Sequence, residues 1–176
     1  SSIAITGTNG KTTVSTLLYQ IFESAHRETG LIGTVETRIG ADILKSSRTT
    51  PEAPDLQGLA AAMRERHMRH LVMEVSSHAI DLKRIKGSYF DVAAFTNLTQ
   101  DHLDFHNDME SYFLAKAQLF TSEYASKSVI NIDSSYGQRL TTMATTDVIT
   151  VSRLNKDADW HFAQIDKTST GAELRM

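Results

Sequence analysis

The sequence predicts an α/β fold: a doubly wound, mostly parallel sheet covered by helices on both faces, with an antiparallel hairpin at its C-terminal end. Three observations predict it. Short apolar or β-branched runs alternate with helical-period segments along most of the 176 residues, which is the pattern of repeated βαβ units. The first run, Ile3-Ala4-Ile5-Thr6, stops at a loop punctuated by Gly7 and Gly10 and is followed by a helix. Three polar clusters fall just beyond predicted strands, and in such sheets ligands sit beyond the strands' carboxyl ends.

Taken in order, the helix after the first loop carries Leu17, Leu18, Ile21, Phe22 and Ala25 at helical spacing, predicting one core-facing stripe. Leu31 to Ile39 reads as a strand broken at Gly33, Gly40-Ala41-Asp42 as a turn, and Ile43 to Lys45 as a short hairpin return. Both prolines, Pro51 and Pro54, mark a loop or helix entry. Asp55 to His67 is helical, with Leu56, Leu59, Ala60 and Met63 on one face. His70 to Val75 suits a buried parallel strand, interrupted by Glu74; Ser76-Ser77-His78 opens a short helix ending near Gly87. Asp91 to Thr96 is a second buried strand, followed by a polar stretch from Asn97 to His106. The next helix begins near Asn107, with Asn107 and Glu110 spaced as a capping box. Ser128 to Ile132, Ser135 to Ala144 and Val148 to Val151 make a further βαβ unit, and Trp160 to Ile165 with Ala172 to Met176 read as the closing hairpin.

Composition excludes several classes. The chain is 40% hydrophobic and 22% charged with net charge −3, so neither nucleic acid nor an anionic membrane is expected as a partner. With no cysteine, disulfides and thiolate metal sites are impossible. No run approaches a membrane span, and a cytoplasmic monomer is the expectation. The chain opens on a strand and closes on what reads as an unfinished one, so a piece of a larger protein is expected.

The chemistry begins at Gly7-Thr8-Asn9-Gly10-Lys11-Thr12-Thr13. The glycines let backbone N–H groups approach a ligand, and the helix that follows directs its positive end at the same spot. Lys11 supplies a charge for terminal phosphates, and the Thr12 hydroxyl can complete a magnesium shell. The usual pattern G-x-x-x-x-G-K-[ST] would need glycine where Ile5 stands, so this is a compressed form; an ordinary βα turn is the alternative. Glu74, inside a strand, needs a partner: magnesium shared with Thr12, or a salt bridge. Asp101, His102, Asp104 and His106 place four metal-capable side chains in six residues, as a metal site or as a plain polar loop. Lys116 shares a helical face with Tyr112, Phe113, Leu119 and Phe120. It either snorkels to water or is desolvated to a neutral amine, which can take up carbon dioxide as a carbamate. Thr49 and Thr50 can be caps for the helix after Pro51, and Arg84 an exposed helix charge.

These residues together resemble a family, the Mur ligases of bacterial cell-wall synthesis, and within it the UDP-N-acetylmuramyl-tripeptide synthetase type. The resemblance rests on the phosphate loop, Thr49-Thr50-Pro51, Glu74-Val75-Ser76-Ser77-His78-Ala79, Phe95-Thr96-Asn97-Leu98 with Asp101-His102-Leu103-Asp104, Ala115-Lys116 and Asn131-Ile132-Asp133. It implies that Gly7 to Thr13 bind ATP, that Thr12 and Glu74 ligate one Mg2+, and that His102 and carbamylated Lys116 ligate a second. It implies that Lys11, His102 and Lys116 serve catalysis and that Thr49, Thr50, Ser76 and Arg84 hold UDP-N-acetylmuramoyl-dipeptide. Leu82 stands where the family often has glutamine, so one substrate contact is expected to be missing. The implied reaction is amide formation with a diamino acid, lysine or meso-diaminopimelate, through an acyl phosphate. Residues 1–176 are expected to be the central ATP-binding domain, truncated at its C-terminal end and inactive alone, with the UDP-binding and amino-acid-binding domains absent. A folylpolyglutamate synthase-like ligase and a non-catalytic nucleotide-binding module are the alternatives.

Overall fold

β1 (Ser2–Thr6) lies in the middle of a nine-stranded sheet, between β5 (His70–Glu74) and β6 (Phe90–Phe95), and runs parallel to both. The computed structural model describes residues 1–101, 105–162, 164–168 and 171–175, the last two segments through their backbone. On one side of β5 follow β2 (Thr29–Ile32), β3 (Glu36–Ile39) and β4 (Asp42–Lys45); on the other side of β6 follow β7 (Ala125–Asn131), β8 (Asp147–Ser152) and β9 (Trp160–His161). β2 and β5 to β9 are parallel with β1, whereas at one edge β3 runs antiparallel to β2 and β4 antiparallel to β3. β10 (Gln164–Thr168) and β11 (Gly171–Arg175) form a separate antiparallel pair, so the expected closing hairpin is present but begins after Trp160. Ser169, Thr170 and Met176 lie outside the described residues.

Side chains along each central strand alternate between two apolar layers. Ile5, Leu31 and Val72 meet α1 (Lys11–Ser24), while Ala4, Ile32, Met73 and Ala93 meet the larger cluster on the opposite face. That second layer holds Leu56 and Met63 of α2 (Ala53–Glu65), Ile80 of α3 (Ser77–Asp81), and Tyr112 and Phe113 of α4 (Met109–Ala117). α5 (Ser135–Met143) adds Leu140.

Three local expectations are corrected. The stretch Leu31 to Ile39 is two strands, because the chain reverses at Gly33, whose N–H donates to Glu36 O at 3.1 Å. On α1 the inward face is Ser15, Leu18, Tyr19 and Phe22, while Leu17 and Ile21 are exposed. The cap of α4 is Asp108, which accepts from Ser111 N while Ser111 Oγ accepts from Asp108 N; the Asn107–Glu110 box is off by one residue.

Candidate active site

The site is assembled where β1, β5 and β6 end. After β1 the chain turns at Gly7 (φ 143°) and reaches Gly10 (φ 86°), from which α1 starts. Position 7 excludes any Cβ, which would lie 1.9 Å from Thr96 Oγ1. The loop is closed against the end of β6: Thr8 N donates to Asn97 O at 2.9 Å, Asn9 N to Asn97 Oδ1 at 2.9 Å, and Thr96 Oγ1 to Asn9 O at 2.7 Å. Thr99 N donates to Thr8 Oγ1 at 3.0 Å, and the Tyr112 hydroxyl lies 3.2 Å from the same oxygen. Loop shape is therefore set by a second strand end far away in sequence.

The ladder of α1 begins with Val14 N donating to Gly10 O at 2.9 Å, so the amides of Lys11, Thr12 and Thr13 precede its first bond. Among the described residues no side chain caps α1 or α2, whereas Ser76, Asp108 and Ser134 cap α3, α4 and α5. The first turn of α1 therefore presents unbonded amides at the positive end of the helix. Lys11 Nζ folds back over the loop and donates to Gly7 O (2.8 Å) and Thr8 O (2.9 Å). Burial pulls its pKa below the ordinary lysine value, against the opposing influence of Glu74 and Asp101.

Glu74 is 1% exposed. Its carboxylate accepts from Thr12 Oγ1 (3.0 Å), Thr34 Oγ1 (2.8 Å), Thr34 N (3.1 Å) and Ser15 Oγ (3.3 Å). Among the described residues none of its partners is a lysine or arginine in ion-pair contact, which removes the salt-bridge reading. Thr12, Thr16, Gly33 and Glu74 line a cavity of about 190 Å³ beside this carboxylate.

Lys116 does not snorkel. It is 1% exposed, with Nζ donating to Gly7 O at 3.1 Å and lying 4.5 Å from the centre of the Tyr112 ring. Burial first, and the nearby charge of Lys11 second, lower its pKa from 10.5 to about 7, with Asp101 opposing. Two lysines thus converge on one loop carbonyl from opposite ends of the sequence. His102 and Asp104 lie outside the described residues. His106 is buried, its Nε2 3.0 Å from Ser77 Oγ and its ring against Tyr112. Among the described residues no group of three or more His, Asp or Glu side chains could by itself hold a metal ion.

Thr49, Thr50, Ser76 and Arg84 come together beside this carboxylate. The Thr50 hydroxyl, 1% exposed, donates to Glu74 O at 3.0 Å and accepts from Ser76 N at 3.0 Å, so it ties the strip to β5 from within. Arg84 Nη1 donates to Thr50 O at 3.4 Å and Nη2 pairs with Glu52 at 3.0 Å, while its buried Nε has no hydrogen-bond partner among the described residues. Thr34, Ser15, Asn97 and Tyr112 were not assigned roles from sequence. Only Asn97 had a signal, as the residue following the strand next to β1; a threonine in a turn and a serine in a helix have none.

The model of the Mur ligase middle domain matches residues 5–176. The chain is 51% identical over 174 residues to the UDP-N-acetylmuramoyl-L-alanyl-D-glutamate–2,6-diaminopimelate ligase of Corynebacterium glutamicum, covering 97% of this chain and 34% of that protein. It is 52% identical over 165 residues to the ligase of the same name from Streptomyces coelicolor, covering 93% and 32%. A solved structure of a UDP-N-acetylmuramoyl-L-alanyl-D-glutamate–2,6-diaminopimelate ligase superimposes with a TM-score of 0.85 at 30% identity, covering 98% of this chain and 36% of that one. The chain spans about a third of the length of the curated relatives it matches. It belongs to the Mur ligase middle domain family.

Proposed function

We propose that this chain is the central, ATP-binding domain of a ligase that joins meso-diaminopimelate to UDP-N-acetylmuramoyl-L-alanyl-D-glutamate, working in the cytoplasm as a monomer. The observation that carries the reading is the convergence, at the carboxyl ends of β1, β5 and β6, of an uncapped helix start, a half-buried Lys11 and a buried Lys116 on the Gly7 carbonyl, and a buried Glu74 touching Thr12. The half-identical relatives named above supply the substrate class. Thr49-Thr50-Pro51 and the Glu74 to Ala79 segment favour it over folate glutamylation.

In this reading Gly7 to Thr13 cradle the ATP phosphates, with the amides of α1 and Lys11 Nζ countering their charge. Magnesium prefers oxygen ligands and commonly takes one or two from protein, leaving the rest to phosphates and water. Thr12 Oγ1 and the Glu74 carboxylate, 3.0 Å apart and both oxygen donors, fit that demand. A bound Mg2+ would supply charge neutralisation on the transferring phosphoryl group. Lys116, pushed to about 7 by burial, is neutral often enough near pH 7 to form a carbamate, which with His102 would offer a second oxygen-and-nitrogen site. Ser76, Arg84 and Thr49 would orient the D-glutamyl side-chain carboxylate of the acceptor. That carboxylate attacks the γ-phosphorus, the bond to ADP breaks, and an acyl phosphate forms. The diaminopimelate amine then attacks the acyl carbon, expelling phosphate and giving the amide. The chain's contribution is positioning and electrostatics.

The test is calorimetric titration of Mg-ATP into this chain and its Lys11→Ala variant, followed by ligation assays on the full-length ligase. Binding that disappears in Lys11→Ala, together with diaminopimelate-dependent ADP release in the full-length protein, is expected. Full-length protein that releases ADP with folate and glutamate instead would overturn the assignment.

A further inference from the structure

Thr34 sits in the turn between β2 and β3 and belongs to no motif, yet it makes more contacts with the Glu74 carboxylate than Thr12 does. Its N–H donates to Oε1 at 3.1 Å and its hydroxyl to Oε2 at 2.8 Å, gripping both oxygens. Gly33 makes the approach possible, since a Cβ at that position would lie 2.6 Å from Glu74 Oε1. Thr34 Oγ1 is also 3.1 Å from Thr49 Oγ1. A carboxylate accepts and does not donate, and a hydroxyl has one proton. The Thr34 hydroxyl faces both oxygens as the donor, so its one proton is shared between Glu74 Oε2 and Thr49 Oγ1 in a three-centre bond. The hydrogen bonds therefore run outward from Thr34, to Glu74 on one side and to Thr49 on the other. They connect the strip proposed to hold the acceptor with the carboxylate proposed to hold the metal.

We propose that Thr34 is a positioning residue that sets the Glu74 carboxylate for the metal and couples it to Thr49, so that metal–nucleotide and acceptor substrate bind cooperatively. The proposal rests on the reading of Thr12 and Glu74 as the metal site. Fixing Oε2 by Thr34 determines which lone pairs face Thr12. Accepting from Thr34 leaves the Thr49 proton free to be donated to a substrate oxygen such as the acceptor carboxylate. Each side then biases the geometry of the other, and such coupling is reciprocal.

The test uses Thr34→Val and Thr34→Ser in the full-length ligase. Valine keeps the shape and the backbone N–H but removes the hydroxyl, and serine restores it. Mn2+ uptake by the ADP complex is read by electron paramagnetic resonance. Acceptor affinity is read by calorimetry with and without Mn2+ and ADP. The expected result is Mn2+ affinity at least about tenfold weaker in Thr34→Val, with metal-free ADP affinity held, acceptor affinity no longer raised by Mn2+–ADP, and Thr34→Ser restoring both. Thr34→Val that takes up Mn2+ like the parent, or Thr34→Ser as weak as Thr34→Val, would overturn the proposal alone. A parent protein whose ADP complex takes up no Mn2+ would overturn the metal reading itself, and this proposal with it.

Discussion

Lys116 Nζ lies 3.1 Å from the carbonyl oxygen of Gly7, the same oxygen that accepts from Lys11 Nζ at 2.8 Å. One peptide group thus holds two amines brought from positions 105 residues apart. A low-dielectric setting with a like charge nearby disfavours protonation of the more deeply buried one.

The sign of the resulting pH dependence follows from the Lys116 pKa of about 7 against the ordinary 10.5. Below about pH 7 both folded and unfolded chains carry the proton, and the folded state bears the whole penalty of burying it. Between about 7 and 10.5 the unfolded chain holds more protons, so stability rises with pH. Lys116→Met is therefore expected to raise the midpoint of thermal unfolding by several degrees at pH 6. That gain should shrink steadily towards pH 10. Scanning calorimetry of both proteins at pH 6, 8 and 10 checks it, and a gain that grew with pH would contradict the buried-amine account.

Carbamylation needs the neutral amine, so it should follow the same titration. Protein equilibrated with 13C-bicarbonate is expected to show one carbamate carbon resonance at pH 8, absent from Lys116→Ala and fading below pH 7. In the full-length ligase Lys116→Ala should lower kcat by at least about a hundredfold while ADP affinity stays within threefold, because Lys116 meets the phosphate loop at the Gly7 carbonyl, which keeps its bond from Lys11 Nζ. Equal loss of ADP binding would instead make Lys116 a structural support of the loop.

The two loop glycines should respond differently to alanine. At Gly7 a Cβ would overlap Thr96 Oγ1 at 1.9 Å and the φ of 143° is unsuited to an L side chain, whereas at Gly10 nothing lies within 4 Å and only the φ of 86° resists. Gly10→Ala is expected to cost about 1–2 kcal/mol of stability, the strain of the left-handed conformation. Gly7→Ala should cost clearly more and abolish ATP binding, because Thr96 cannot yield without losing its bond to Asn9 O. Urea unfolding midpoints for the two variants decide the order.

How far the sequence could be read depended on whether a feature was local. The central strands announced themselves as buried runs, and the phosphate loop as glycine spacing before a helix. The stripe on α1 was misjudged because the loop and the sheet, not the helix, fix its rotation: Ser15 must reach Glu74, which turns Leu17 and Ile21 outward. Gly33 read as a break in one strand, since its turn carries none of the dipeptides that mark a hairpin. The burial of Lys116 depends on Gly7, and the grip on Glu74 depends on Thr34, 40 residues away. No periodicity encodes either contact.

Thr50 offers the sharpest separation between holding a substrate and holding the site. Its hydroxyl is buried, donates to the Glu74 carbonyl at 3.0 Å and accepts from Ser76 N at 3.0 Å. Ser76 in turn caps α3. Thr50→Val keeps the volume and deletes both bonds, leaving the buried Glu74 carbonyl and the part-buried Ser76 N–H without this partner, a loss of about 1–3 kcal/mol. The substitution also frees the β5–α3 junction, so Ser76 and Arg84 should lose their alignment together. A rise in KM for the muramyl dipeptide is expected alongside the lower stability. Thr49→Val, whose hydroxyl is only half-buried, should raise KM with little change in stability. Unfolding midpoints and steady-state kinetics on the same two variants separate the roles. If Thr50→Val were as stable as the parent and impaired only in KM, Thr50 would be a direct substrate contact rather than the internal tie that positions its neighbours.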